Sequence, residues 1–274
     1  MKWLAALLIL LALPLKAQEA LIIPRADGAE VPVLHWPAPP GAPILILSHG
    51  LGGSEKGLTG LATAANALGW DTWALRHAES GRPAMRRVLE AENRRAMLIQ
   101  TVTDPLLNRA RRADLDALLK AIGPQFDAAP LQVYGGHSMG AQSVIAEAGA
   151  PNNLGVEGAD RFDAYIALSF HGPGPNFPAG AWAHLTKPTL MMTGTTDQAI
   201  TGTWDTRLPG FDNMPAGNAT LAVIDNANHG QVSGTGPSDQ AALSRAIATD
   251  FLAGLREEPH RRPQPRQGAR ITNK

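Results

Sequence analysis

Two hydrophobic patterns alternate along the chain. Short runs in which nearly every position is apolar recur at VPVLHW (31–36), ILILSH (44–49), DTWALR (71–76), LQVYGG (131–136), AYIALSF (164–170), TLMMTG (189–194) and TLAVID (220–225). Unbroken apolar runs of this length suit strands covered on both faces. Between them, about 58–68, 106–122, 139–147 and 238–252 carry helical spacing. In the second of these, Leu107, Leu115, Leu118, Leu119 and Ile122 mark a buried face, and the interleaved Arg109, Arg111, Arg112 and Asp116 read as a solvated one. Strands alternating with helices predict an α/β fold, a mostly parallel central sheet with helices on both faces.

The pattern breaks in three places. Residues 79–104 hold Arg82, Arg86, Arg87, Arg94 and Arg95 and are the least regular part; a helix after a long loop, shaping or covering a cleft, is expected there. At the start, Lys2 precedes an apolar run from Trp3 to Leu15, and Ala17 and Ala20 follow. A basic start, a short apolar centre and a small-residue exit predict a signal peptide over 1–20, cleaved near Ala17 to Ala20, and a periplasmic or secreted protein with no stable membrane insertion after cleavage. At the end, residues 255–274 are rich in Pro, Arg and Gln, and a disordered basic tail is expected. One catalytic domain over 21–254 remains.

Composition narrows the chemistry. The 274 residues carry 24 Lys+Arg against 24 Asp+Glu, so the global charge favours no nucleic acid or other polyanion as partner. With no cysteine, disulfides, thiolate metal sites and a cysteine nucleophile are excluded. His35, His49, His77, His137, His171 and His184 show no metal-ligand spacing, and local hydrogen bonding is their expected role. The glycine-rich stretch ILILSHGLGGSEKG (44–57) could hold a phosphate, but a P-loop needs Gly, Lys and Ser or Thr in succession, where Glu55, Lys56 and Gly57 stand. A dinucleotide fingerprint counted from Gly50 and Gly52 would need glycine at Glu55.

The chemistry concentrates at Gly136-His137-Ser138-Met139-Gly140, between the apolar run 131–134 and a helix-forming run. Strand, sharp turn and helix around Gly-x-Ser-x-Gly form a nucleophile elbow: the serine takes a strained conformation above the sheet, and small neighbours let strand and helix approach. A hydroxyl needs a histidine to take its proton and a carboxylate to orient that histidine, following the serine in the order acid, histidine. Asp197 follows the run 189–194, with Asp205 its main rival and Asp212 and Asp225 also in range; His229 follows the run 220–225. The only later histidine, His260, lies in the tail. The glycine-rich loop after the run 44–49 then supplies an oxyanion site, with Leu51 and Met139 backbone N–H groups as donors.

Together HGLGG, GHSMG, TGTTD and NANHG, over roughly 30–253, resemble the α/β-hydrolase superfamily. Within it they look most like the predicted dienelactone hydrolases, with relatives among platelet-activating-factor acetylhydrolases and cutinase-like polyester hydrolases. Ser138 departs from the cysteine nucleophile of true dienelactone hydrolases, and Ala141 from the glycine many relatives carry. The resemblance implies an α/β-hydrolase fold and a serine carboxylesterase-type hydrolase acting on a small-molecule or polymeric ester, with no metal and no organic cofactor. The connection 170–189 is too short for a large cap domain, which favours short acyl esters or the surface of a larger substrate. The same triad would serve acyl transfer or peptide cleavage, and a non-catalytic binding protein of this fold would be expected to lack a catalytic side chain. Oligomeric state is open at this level.

Overall fold

A computed structural model describes residues 18–198 and 202–274. In chain order the elements are β1 (Glu19–Pro24), β2 (Glu30–Trp36), β3 (Ile44–Ser48), α1 (Thr59–Ala67), β4 (Asp71–Leu75), α2 (Arg82–Glu90), α3 (Arg94–Thr103), α4 (Pro105–Ala121), α5 (Gly123–Ala128), β5 (Gln132–His137), α6 (Met139–Glu147), β6 (Ala164–Leu168), β7 (Thr189–Gly194), α7 (Leu208–Asp212), β8 (Ala219–Ile224), α8 (His229–Val232), α9 (Asp239–Gly254) and β9 (Ala269–Asn273). The strands form one sheet in the order β1-β2-β4-β3-β5-β6-β7-β8-β9. From β4 to β8 the pairings are parallel; β1, β2 and β9 join antiparallel at the two edges.

Alternation along each strand divides the core. Ile44 and Ile46 of β3 face one layer with Leu115 and Leu118 of α4 and Val144 and Ile145 of α6. Leu45 and Leu47 face the other, with Leu61 and Ala65 of α1 and Ile247, Phe251 and Leu252 of α9. Both faces are thus sealed by helices, which is why β3, β4, β6, β7 and β8 are buried along their whole lengths. No large cap domain interrupts the β6–β7 connection, which holds only a 3₁₀ turn, Ala181–His184.

Three expectations change. The tail is ordered: β9 pairs with β8 with Ile271 opposite Ala222, and Thr220 Oγ1 bonds Asn273 Oδ1 at 2.7 Å. An edge strand needs few apolar residues, because its outer face can be polar, so ARITN reads as tail although it completes the sheet. Second, 79–104 forms two helices, α2 and α3, the latter capped by the Asn93 side chain on Ala96 N–H. Third, Arg111 is buried, not solvated. The expected leader falls mostly on 1–17, outside the described residues; its boundary at Ala20 lies inside β1. Among the described residues, no helix is long and apolar enough to cross a membrane.

Candidate active site

The parallel strands end together, and loops leaving β3, β5, β6, β7 and β8 gather at their carboxyl ends, where open α/β sheets bind ligands. A cavity of about 820 Å³ opens there, lined by Leu51, Ser138 and His229. Its far wall is the helical pair, through Met85 of α2 and Leu98 and Val102 of α3.

Ser138 stands between β5 and α6 with φ 56° and ψ −115°. Such a backbone costs an ordinary residue about 1–3 kcal/mol, so the surroundings must enforce it. They do so by close packing. A Cβ on Gly136 would lie 2.4 Å from Gly140 C and O, and one on Gly140 would lie 2.0 Å from Ser48 O. The serine N–H is fixed to Leu168 O at 2.9 Å and its carbonyl accepts from Gln142 N at 3.0 Å. Gly50 packs closely too, though less tightly, since a Cβ there would sit 3.1 Å from Ser138 Cβ. This brings Leu51 against the elbow, in an apolar cluster with Met139 and Val102. Among the described residues, neither the Leu51 nor the Met139 N–H donates to another group.

His229 opens α8, where Asn228 and Gln231 form a reciprocal capping box. Its Nδ1 donates to Asp197 Oδ1 at 2.8 Å, its carbonyl accepts from His137 Nε2 at 2.8 Å, and its side chain is 35% exposed. The carboxylate that His229 meets is Asp197; Asp205 and Asp225 are exposed and bond elsewhere or not at all. Asp197 is fully buried and accepts from His229, Arg207, Ser169 and Thr193. Burial alone would raise its pKa, but the bond to His229 and the Arg207 charge outweigh it and hold the carboxyl at about 2. Ser138 and His229 share the cavity without a direct hydrogen bond between them, as is common before substrate binds.

A second serine, histidine and aspartate line up inside the protein. Ser48 Oγ donates to His77 Nε2 at 2.7 Å, and His77 Nδ1 to Asp114 Oδ2 at 2.8 Å. Ser48 and His77 are wholly buried and line no cavity with the first group. Arg111 closes the network, donating to Ser48 Oγ at 2.8 Å, Ser80 Oγ at 2.8 Å, Ser143 Oγ at 3.0 Å and His49 O at 2.6 Å. It thereby ties the start of the Leu51 loop to α4 and α6. Sequence reasoning missed the roles of both Arg111 and Arg207, and no spacing signal marks either; the one hint at Arg111 is its place, with Asn108 and Asp114, on the helix face that also carries Leu107, Leu115 and Leu118.

Comparison with solved structures establishes the fold. Dienelactone hydrolase from Anabaena variabilis superposes with a TM-score of 0.60 at 16% identity, over 86% of this chain and 97% of that one. Est1E from Butyrivibrio proteoclasticus, with ferulic acid bound, gives 0.61 at 15%, over 87% and 100%. A predicted CIB-like hydrolase from Thermoplasma acidophilum gives 0.59 at 16%, over 86% and 98%. The chain therefore has the α/β-hydrolase fold. No family model matches it, and no curated protein matches it in sequence.

Proposed function

We propose that the protein is a serine ester hydrolase working through a covalent acyl-enzyme. The observation that carries this reading is the Asp197–His229 hydrogen bond of 2.8 Å at the edge of the cavity into which the strained elbow sets Ser138. With Nδ1 committed to Asp197, His229 keeps Nε2 as the basic nitrogen. Ser138 Oγ attacks the ester carbonyl while its proton passes to His229 Nε2; the tetrahedral oxygen is held by the Met139 and Leu51 N–H groups. Collapse breaks the bond to the alcohol, which leaves with the proton from His229. Water then repeats the sequence on the acyl-serine, releasing the acid and restoring both side chains.

The open cavity, with Leu51, Met85, Leu98 and Val102 on its wall, suits a short acyl or aromatic ester better than a long lipid chain. Likeness to dienelactone hydrolase and to an esterase with ferulic acid bound is compatible with that class. Mapping a fluorophosphonate label by mass spectrometry, beside p-nitrophenyl butyrate turnover, tests the reading: the label belongs on Ser138. Folded protein that neither labels nor turns over the ester would leave a binding role for the fold. Export is part of the same proposal, and N-terminal sequencing of the mature protein tests it. Cleavage after Ala17 leaves β1 whole, whereas cleavage after Ala20 would remove its first two residues.

A further inference from the structure

Asp197 is shared. Arg207 ends the 3₁₀ turn Trp204–Arg207 ahead of α7 and is fully buried. Its Nη2 donates to Asp197 Oδ1 at 3.0 Å, the oxygen that also accepts from His229 Nδ1. Nη1 reaches the Asp197 carbonyl at 3.0 Å and Thr193 Oγ1 at 3.2 Å, and Nε reaches Phe170 O at 2.6 Å. Ser169 Oγ at 2.7 Å and Thr193 Oγ1 at 3.0 Å fill the other carboxylate oxygen. One guanidinium thus spans the ends of β6 and β7 and the acid loop.

Two effects follow. Positionally, the planar fork fixes the carboxylate by three separate anchors, so Oδ1 is aimed before substrate arrives. Electrostatically, a buried guanidinium beside a buried carboxylate makes a nearly neutral unit, and a proton reaching His229 meets a weaker field than a bare carboxylate would exert. The other titratable rings facing His229 from packed elements are His137, at the end of β5, and His171, after β6. Burial first, and charged neighbours second, keep them at about 3 and about 4, so both are neutral over the working range. Arg94 and Arg95 of α3 line the same cavity as His229; the charged groups bonded into its own hydrogen-bond chain are Asp197 and, through Asp197, Arg207.

We propose that Arg207 is a positioning residue that aims Asp197 and, by sharing its charge, holds His229 in the basic form the reaction needs. This rests on the assignment of His229 as the base. The test is NMR titration of the His229 ring in Ser138→Ala protein, with and without Arg207→Gln, so its result does not depend on turnover; labelling of Ser138 in the unsubstituted protein judges the assignment separately. The midpoint is expected to rise by at least about half a pH unit in Arg207→Gln and to stay within about 0.2 in Arg207→Lys, which keeps the charge. An unmoved midpoint in folded Arg207→Gln would overturn the proposal. Should that variant fail to fold, Asp197→Asn and the double variant Asp197→Asn/Arg207→Gln replace it, the double leaving no buried charge unpaired. The single variant should then titrate at least about one unit below the double; equal midpoints would overturn the proposal as firmly.

Discussion

The molecule holds two sets of serine, histidine and aspartate with opposite surroundings. At Ser48, His77 and Asp114 each side chain is tied to a neighbour: the serine donates to the ring, the ring donates to the acid, and Arg111 donates to the serine oxygen. Nothing can reach it. At Ser138, His229 and Asp197 the acid is equally satisfied, yet the histidine is 35% exposed and the serine, at φ 56°, is unbonded to it beside a cavity of about 820 Å³. The contrast teaches that residue types and mutual bonds do not make a nucleophile. On the proposed assignment of Ser138, backbone strain, an unspent hydroxyl and space for a substrate do, and these belong to the fold around the serine. The buried set serves the open one by holding the loop that carries Leu51.

Exchanging the serines breaks or sustains this distinction most sharply. Ser138→Ala should lower p-nitrophenyl butyrate turnover by about 10⁴-fold or more and abolish fluorophosphonate labelling, with little change in melting temperature. Ser48→Ala should keep the label on Ser138 but lower stability by about 1–3 kcal/mol in urea unfolding, because His77 and Arg111 each lose a buried partner. Labelling at Ser48, or loss of turnover in a stable Ser48→Ala protein, would reverse the two roles.

Acid should strain both sets, because each contains or adjoins histidines that burial keeps neutral. Burial holds His137 and His171 at about 3 and 4 on the open side, His49 at about 2 on the other, and His77 well below its ordinary value. A value lowered in the folded state means that below about pH 6.5 the unfolded chain binds protons the folded chain refuses, so stability falls as pH drops from about 6.5 towards 4. Asp114, pushed up to about 6 by burial, opposes this, since between about pH 6 and 4 the folded chain takes its proton first. Four histidines against one carboxyl leave an uptake of roughly three protons on unfolding at pH 5. Urea midpoints measured from pH 7 to 4 check the sign; a midpoint that rises on acidification would contradict it.

Much of this was legible in the chain because buried parallel strands announce themselves: β2 to β8 follow unbroken apolar runs, and the elbow needs Gly136 and Gly140 for steric reasons that the contacts at 2.4 and 2.0 Å make plain. The order serine, acid, histidine followed from the loops after three such strands. What stayed hidden lies at edges and in long-range partnerships. β1 merges in composition with the apolar run that precedes it in the sequence, β9 reads as a polar tail, and α2 and α3 are arginine-rich with only one face to bury. Arg111 and Arg207 resemble surface cations in sequence, and only the fold brings Ser48, Asp197 and the carbonyls of His49 and Phe170 to them.

The tail offers a smaller test at the sheet's edge, outside both sets. Removing 269–274 strips β8 of its outer partner and of Ile271, and frees Trp204 from the Arg270 guanidinium 5.3 Å above its ring. A melting temperature lower by several degrees is expected, equivalent to about 1–3 kcal/mol, with turnover per folded molecule retained. An unchanged melting temperature would mean that the segment behaves as a free terminus.

At Leu51 backbone and side chain do different work, and only the side-chain effect is expected to be small. The side chain packs beside Val102, Leu107 and Met139, so Leu51→Ala should loosen the cavity wall and raise KM a few-fold while kcat changes little. The proposed donor is its N–H, which alanine retains. Leu51→Pro removes that N–H, and losing one oxyanion donor costs about 100-fold to 1,000-fold in kcat. Comparing the two variants at matched fold, by circular dichroism and by label uptake at Ser138, separates access from charge stabilisation. If alanine lowers kcat as far as proline does, Leu51 acts through packing, and the oxyanion must be held by the Met139 amide and a donor elsewhere in the loop.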